Sequence, residues 1–252
     1  MIRVCIVGGT GALGKNLIEK LNDESDILLT KVITHSKNAF LNSPLNSMVK
    51  YEKNNLIISD DILKDHDDFD IIVDCSNAEA LWENLKKYMI LKKPLLIATT
   101  GMGEETILEL ESLSKDVPIC IGSNFSVEAA YFFDILECAI NTIKNLNDIY
   151  IVETHGKRKK DMPSGTAKDI VKLFANSVNS NEIDIPIHSV RAGDLMGKHL
   201  VSFVDRYNGQ IDISYTSGSR DEYSSGMILA LKYLINADAG MIDFREIVRL
   251  AF

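Results

Sequence analysis

The chain opens on a short apolar run that breaks into glycines and at once into a helical pattern. "IRVCIV" occupies residues 2–7, "GGTGALG" residues 8–14, and Leu13, Leu17, Ile18 and Leu21 recur at helical spacing. Gly9, Gly11 and Gly14 satisfy G-x-G-x-x-G. A strand that turns this tightly into a helix aims backbone N–H groups and the positive helix end at one spot, the arrangement that holds a pyrophosphate. The same spacing can serve a plain βα turn; its place at the first strand–turn–helix of the chain favours the nucleotide reading.

The first half repeats the alternation. Strand patterns at 27–33, 70–76, 94–100 and 118–123 are separated by helical patterns at 78–93 and 104–115, with a polar Asn/Ser loop at 36–55 and the short run "NLIIS" at 55–59. Nearly continuous apolar strands between helices imply a parallel sheet covered on both faces, a Rossmann-type doubly wound α/β domain. Beyond about residue 125 the texture changes. A helix with the apolar face Val127, Ala130, Phe133, Leu136 and Ile140 leads to strand "NDIYIVETH" (147–155) and a helix at 165–176. Strand-like runs with Gly-Asp and Asn-Gly turns follow and predict a mostly antiparallel sheet in a second, α+β domain. The segment 226–248 reads as helix again. The expected division is a dinucleotide-binding domain at 1–125, a substrate-binding and oligomerisation domain at 126–219, and a C-terminal segment at 220–252 packing back on the first.

With 46% hydrophobic and 25% charged residues over 252 positions, the composition is that of a globular protein. A net charge of −9 argues against a nucleic-acid partner, which needs clustered Lys and Arg. No apolar run approaches the roughly 18–20 residues of a membrane span, and no leader pattern is present, so the expected location is the cytoplasm. Cys5, Cys75, Cys120 and Cys138 show no ligand spacing and read as buried thiols of a reducing compartment, with no metal site.

Three stretches carry candidate chemistry. The second strand ends "VITHSK", with Thr34, His35, Ser36 and Lys37 where an acidic ribose ligand would sit. Hydroxyls and a nearby cation accept a 2′-phosphate that a carboxylate would repel, so NADPH is expected over NADH. Thr99, Thr100 and Gly101 lie at a strand end, the edge where such sheets bind ligands, although a plain turn would look the same. Asn124 and Phe125 likewise follow a strand and are expected to line the domain junction, with Ser126 as a helix cap.

The third stretch is "ETHGKRKKDMPSGTAKD" (153–169), a lone histidine, a basic run and a Pro-Ser-Gly-Thr turn in an acidic chain. Taken singly, each feature suits a basic loop beside a capped helix. Together they suit an anion site: Ser164 caps a helix, Gly165 and Thr166 present free N–H groups, Lys159 adds charge, and His155 is the natural proton donor near neutrality.

This run resembles the signature of the dihydrodipicolinate reductase family, E-x-H-H-x-x-K-x-D-x-P-S-G-T-A. The resemblance extends through "VGGTGALG", "DCS" (74–76), "ATTG" (98–101), "SNFSV" (123–127), "HSVRAGDLMGKH" (188–199) and "SGSRDEYSSG" (217–226). It implies that His155 is the proton donor, that Lys159 is catalytic, and that Ser164, Gly165 and Thr166 hold a substrate carboxylate. It further implies a cofactor site along Gly8, Gly9, Thr10, Gly11, Ala12, Leu13 and Gly14, with Thr34, His35, Ser76, Ala98, Thr99, Thr100, Gly101, Ser123, Asn124, Phe125 and Arg220. The implied reaction is NADPH- or NADH-dependent reduction of a cyclic imine dicarboxylate on the diaminopimelate route to lysine, in a homotetramer. Three departures stand out: Gly156 replaces the second histidine, Ala12 replaces an arginine of the glycine loop, and Thr34 replaces the acidic ribose ligand. Tyr88 and Lys92 match the Tyr-x-x-x-Lys spacing of short-chain dehydrogenases but fall too early in the chain. A non-catalytic NADP-binding redox sensor would explain the glycine loop, but not the joint presence of His155, Lys159 and the Ser-Gly-Thr turn.

Overall fold

A computed structural model describes residues 1–143, 146–177 and 184–252, and every candidate site residue lies among them. The chain forms two compact units, residues 1–125 with 223–252, and residues 126–222. The first begins with β1 (Ile2–Val7), α1 (Ala12–Lys20), β2 (Ile27–Ile33), β3 (Ile71–Asp74), α2 (Ala78–Leu91), β4 (Leu95–Ile97), α3 (Glu104–Leu113) and β5 (Pro118–Ile121). The second contains α4 (Val127–Thr142), β6 (Leu146–His155), α5 (Gly165–Ser177), β7 (Ile187–Arg191), β8 (Gly197–Asp205) and β9 (Gln210–Ser217). The chain then passes through α6 (Arg220–Leu234), which belongs to the first unit from Tyr223 onward, into β10 (Gly240–Ile242) and α7 (Phe244–Ala251).

The first unit's sheet has the order β10-β5-β4-β3-β1-β2, all parallel. Its central strands are buried on both faces, with Ile72, Leu95, Ile97 and Ile119 packed against Leu81 and Leu85 of α2 and Leu110 of α3. Each such side chain contributes about 1.5–3 kcal/mol on leaving water. The second unit's sheet has the order β7-β6-β8-β9, parallel at β6–β7 and antiparallel at β6–β8 and β8–β9. One face is covered by α4 and α5, where Phe132, Leu136, Ile170 and Phe174 pack on Ile151, Val201 and Phe203.

Several local expectations change. The short run "NLIIS" contributes only isolated bridges, Ile33 to Ser59 and Pro44 to Ile57. Residues 226–248 are not one helix: α6 ends at Leu234, three residues add β10 to the edge of the parallel sheet, and Asp243 caps α7 by accepting from the Arg245 N–H. A three-residue strand is too short to carry a period of its own. The buried face of α4 includes Ala130, Leu136 and Ile140 as expected and adds Ala129 and Phe132, while Val127 and Phe133 are only half-buried. Cys5 and Cys120 are buried, but Cys75 is half-buried and Cys138 exposed; all four are free thiols. No helix among the described residues is long and apolar enough to cross a membrane.

Candidate active site

In the first unit, β1 turns into α1 through a loop that leaves no space for a side chain at Gly8 or Gly14. Gly8 has φ +76°, and a Cβ there would lie 2.7 Å from the Cys75 carbonyl and the Ser76 nitrogen; one at Gly14 would lie 2.7 Å from the Gly8 oxygen. Gly11 occupies the N-cap of α1, and no side chain among the described residues caps it. The first-turn N–H groups therefore remain available, and the cradle fits a dinucleotide pyrophosphate. Beside it, the Thr10 and Thr34 hydroxyls are 3.0 Å apart, and Asn38 Nδ2 donates to Thr10 Oγ1 at 3.2 Å. Ala12 and His35 are exposed, and His35 Nδ1 accepts from the Lys37 N–H.

The neighbouring strand ends are organised by Asp74, which no site expectation named. Its buried carboxylate accepts from Ser76 N (2.9 Å), Ser76 Oγ (2.6 Å), Tyr88 OH (2.6 Å) and Thr99 Oγ1 (2.8 Å). Ser76 and Thr99 thus spend their hydroxyls within the protein, while Thr100 and Gly101, just after Ala98, are exposed. Burial, followed by the nearby Asp74 charge, pushes the Tyr88 phenol well above its ordinary value, and Lys92 pairs with Asp116 at 2.7 Å. The Tyr-x-x-x-Lys spacing therefore brings no acid–base pair together. Phe125 corrects another expectation: only 2% exposed, it packs edge-on against Phe244 with ring centroids 5.0 Å apart and is a core residue, not a lining one. Ser123 and Asn124 precede it after β5, and Ser126 caps α4 by accepting from the Ala129 N–H.

In the second unit, strand alternation brings the charged groups together. Ile151, Glu153 and His155 occupy alternate positions of β6 and all are buried on the helix-covered face. Glu153 Oε2 lies 2.8 Å from His155 Nδ1. Its Oε1 accepts from Arg191 Nη2 at 2.9 Å and from the Ser164 N–H at 3.3 Å. Arg191 Nη2 also donates to the Asp161 carbonyl at 2.6 Å. His199, from the adjacent β8, lies edge-to-face with His155 at 5.2 Å and places Nε2 3.2 Å from Ser164 Oγ. With the Arg191 guanidinium on its carboxylate, Glu153 belongs to a hydrogen-bonded ion cluster rather than a cation site.

These contacts set the charges. Burial pushes the Glu153 carboxyl upward, but hydrogen bonds from Ser189, Ser164 and Arg191, together with the His155 charge, outweigh it and hold it at about 2. Burial lowers His155 below the ordinary 6.5; Glu153 opposes that, while Lys159 and Arg191 add to it. His199, buried beside His155, is lowered to about 4 and is neutral at pH 7.

The α5 N-terminus adjoins this cluster. After the Met162–Pro163 turn, Ser164 Oγ accepts from the Ala167 N–H at 3.2 Å, while Gly165 and Thr166 form the first turn. A cleft of about 290 Å³ is lined by His155, Gly156, Arg158, Lys159, Asp194, Leu195, Met196 and Arg220. Lys159 pairs with Asp161 at 2.9 Å, and Arg158 reaches Asp194 at 3.4 Å. Arg220, expected at the cofactor, thus shares a cleft with His155 and Lys159. The Gly156 N–H donates to the Leu195 carbonyl at 2.9 Å, and a Cβ at 156 would come within 3.1 Å of that oxygen, so the 194–195 backbone closes over the position where the family signature carries histidine.

A glycine cradle at the carboxyl edge of a parallel sheet, with a second unit that brings a histidine, a lysine and a helix N-terminus together, is the build of two-unit NAD(P)H-dependent oxidoreductases. Models of the two parts of one family match nearly the whole chain: "Dihydrodipicolinate reductase, N-terminus" over residues 2–125 and "Dihydrodipicolinate reductase, C-terminus" over 129–248. The chain belongs to the dihydrodipicolinate reductase family. Among solved structures it is similar to dipicolinate-bound dihydrodipicolinate reductase from Paenisporosarcina sp. TG-14, with 21% identity, TM-score 0.75, and coverage of 96% of this chain and 97% of the other. An amine dehydrogenase from Mycobacterium smegmatis shares the fold at 12% identity and TM-score 0.65, covering 97% and 95% of the two chains. Aspartate semialdehyde dehydrogenase II from Vibrio cholerae shares it at 10% identity and TM-score 0.63, covering 93% and 98%.

Proposed function

We propose that this chain reduces dihydrodipicolinate, the cyclic imine formed from 4-hydroxy-tetrahydrodipicolinate, to tetrahydrodipicolinate on the diaminopimelate route to lysine. The observation that carries the reading is the joint placement of His155, Lys159 and the Ser164–Thr166 helix end around one buried ion cluster. A protein that merely sensed nucleotide would have no use for that set. The relative from Paenisporosarcina binds dipicolinate, a planar ring with two carboxylates, and a dicarboxylate ligand accounts for a local cationic site in a chain of net charge −9.

In this reading the first-turn N–H groups of α5, with the Ser164 and Thr166 side chains, hold one carboxylate, and Lys159 adds a charge-assisted contact. Arg220 supplies a further cation in the cleft and is assigned to anion binding there. NADPH, when bound, supplies the hydride that reduces the ring. His155 then delivers a proton to the resulting enamine carbon from the edge of the cleft. On the first unit, Gly8–Gly14 take the pyrophosphate, and Thr10, Thr34 and Asn38 face the adenosine ribose. Ala98–Gly101, Ser123 and Asn124 stand at the sheet edge for the nicotinamide half, and Ser76 and Thr99 act there through Asp74. The face of the second unit's sheet that carries Tyr150, Val152, Val190 and Leu200 lies opposite the one covered by α4 and α5. We assign that face to assembly of a homotetramer.

The test is an assay that generates the cyclic imine in situ and follows NADPH and NADH absorbance. Imine-dependent oxidation is expected, with kcat/KM for NADPH exceeding that for NADH by roughly tenfold or more, the worth of one charge-assisted contact to a 2′-phosphate. No imine-dependent oxidation with either nucleotide defeats the reductase reading, and a clear NADH preference defeats the assignment of Thr34.

A further inference from the structure

We infer that Glu153 is a positioning residue for His155: its carboxylate, fixed by Arg191 and the Ser164 backbone, holds the proton on Nδ1 and so makes Nε2 the nitrogen that exchanges a proton with the ligand. The identity of that ligand rests on the reductase reading; the arrangement itself does not.

The geometry leaves little choice. Glu153 is fully buried on the core-facing side of β6, where a carboxylate persists only if its oxygens are occupied. Oε1 receives two donors, Arg191 Nη2 from the end of β7 and the Ser164 N–H from the start of α5. That pins the carboxylate and turns Oε2 toward the imidazole. Oε2 and Nδ1 lie 2.8 Å apart, out of line for a good hydrogen bond, and neither buried atom has another hydrogen-bond partner among the described residues. Two lone pairs that close would repel, so Nδ1 carries the hydrogen and faces the carboxylate. In the neutral ring a proton on Nδ1 leaves Nε2 as acceptor, and in the charged ring Nε2–H is the only donor left. Nε2 is on the far edge of the ring, where a Cβ at Gly197 would come within 3.0 Å of it, and His155 lines the cleft with Lys159 and Arg220.

The charged groups nearest His155 are Glu153 on its own strand, Lys159 and Asp161 from the following loop, and Arg191 at the end of β7, with neutral His199 from β8; Arg158, Asp194 and Arg220 line the same cleft. Of the two nearest carboxylates, Glu153 lies in direct contact and Asp161 is paired with Lys159. Glu153 is thus the main support for the imidazolium against burial and the cations around it.

Glu153→Gln separates this role from a purely structural one. Arg191 and the Ser164 N–H still require an acceptor at the Oε1 position, so the amide oxygen stays there and the amide NH₂ faces Nδ1. The imidazole must then accept at Nδ1 and carry its proton on Nε2, the reverse tautomer, and its pKa falls. Nitrogen-15 NMR of the full chain labelled at histidine, with His155→Gln to assign the signal, reads this directly. The Nδ1–H form is expected in the native protein and the Nε2–H form in Glu153→Gln, together with a kcat reduction of about 10–10²-fold. KM for the imine is expected to change by less than about threefold, because the α5 helix end is retained. The limb on which kcat declines with rising pH should move to lower pH in the variant.

A native protein with the proton on Nε2 overturns the inference, whether or not the variant folds. So does a folded variant whose tautomer and pH limb match the native ones. Absence of imine-dependent turnover defeats the reductase reading alone, because the tautomer measurement needs no substrate.

Discussion

His155→Gln should lower kcat by roughly 10²–10⁴-fold, the range for loss of a positioned general acid. Glutamine approximates the length of imidazole and can bond Glu153 through its amide, but it has no proton to give near neutrality. The buried cluster therefore survives and chemistry is lost without binding, so KM for the imine should stay within a few-fold of native. The native pH profile gives the complementary sign. The donor must be protonated, and His155 is held below 6.5 by burial, with Lys159 and Arg191 adding to the shift and only Glu153 and Asp161 opposing it. The limb on which kcat/KM falls with rising pH should therefore lie below the ordinary histidine value in the free enzyme. A bound dicarboxylate brings negative charge close to the ring and raises that pKa, so the corresponding limb of kcat should lie higher than that of kcat/KM. The variant should lose the limb altogether. Unchanged turnover in His155→Gln, measured in the imine-generating assay, removes His155 from the mechanism.

Much of the frame was legible in the sequence because it rests on local periodicity. The strand–glycine–helix opening, the apolar strands of the parallel sheet and the helix beginning at Gly165 each announce themselves within about a dozen residues. The elements that escaped depend on distant partners. β10 is three residues long and exists because β5 offers it an edge. Phe125 follows a strand like a lining residue, and only its contact with Phe244, far along the chain, shows it to be core.

The site divides in the same way. Ser164 is a recognisable cap and His155 a recognisable acid, but Glu153 gains its role from Arg191 and His155 gains a neighbour in His199, positions 38 and 44 residues away, brought together only by the β7-β6-β8 order. One signal was available. In "YIVETH" the core-facing register of the strand runs Ile151, Glu153, His155, and an acid followed by a histidine on the buried face demands partners. Asp74 gave a similar signal, an acid ending an otherwise apolar strand, whose ligands Ser76, Tyr88 and Thr99 only the sheet could reveal.

Lys159→Ala should lower kcat/KM for the imine by about 10²–10³-fold, at or above the upper end of the roughly 1.5–3 kcal/mol that one hydrogen bond to a charged partner gives by itself. The excess comes from what the lysine leaves behind. Lys159 Nζ sits 2.9 Å from the Asp161 carboxylate, whose pKa burial raises but Lys159, a backbone hydrogen bond and Arg191 together hold below the ordinary value. Once the lysine is removed, an uncompensated negative charge remains beside the cleft into which a dianion must enter, so the variant loses an attraction and gains a repulsion. Binding of dipicolinate, measured by calorimetry, should weaken in parallel. A second signature has the opposite sign to that of Glu153→Gln: Lys159 is one of the cations that depress His155, so its loss should raise that pKa and move the declining limb of the rate to higher pH. A variant that binds dipicolinate as tightly as the native protein and turns over at the native rate would show that the loop from Lys157 to Lys160 is solvated charge and that the α5 helix end holds the carboxylate without it.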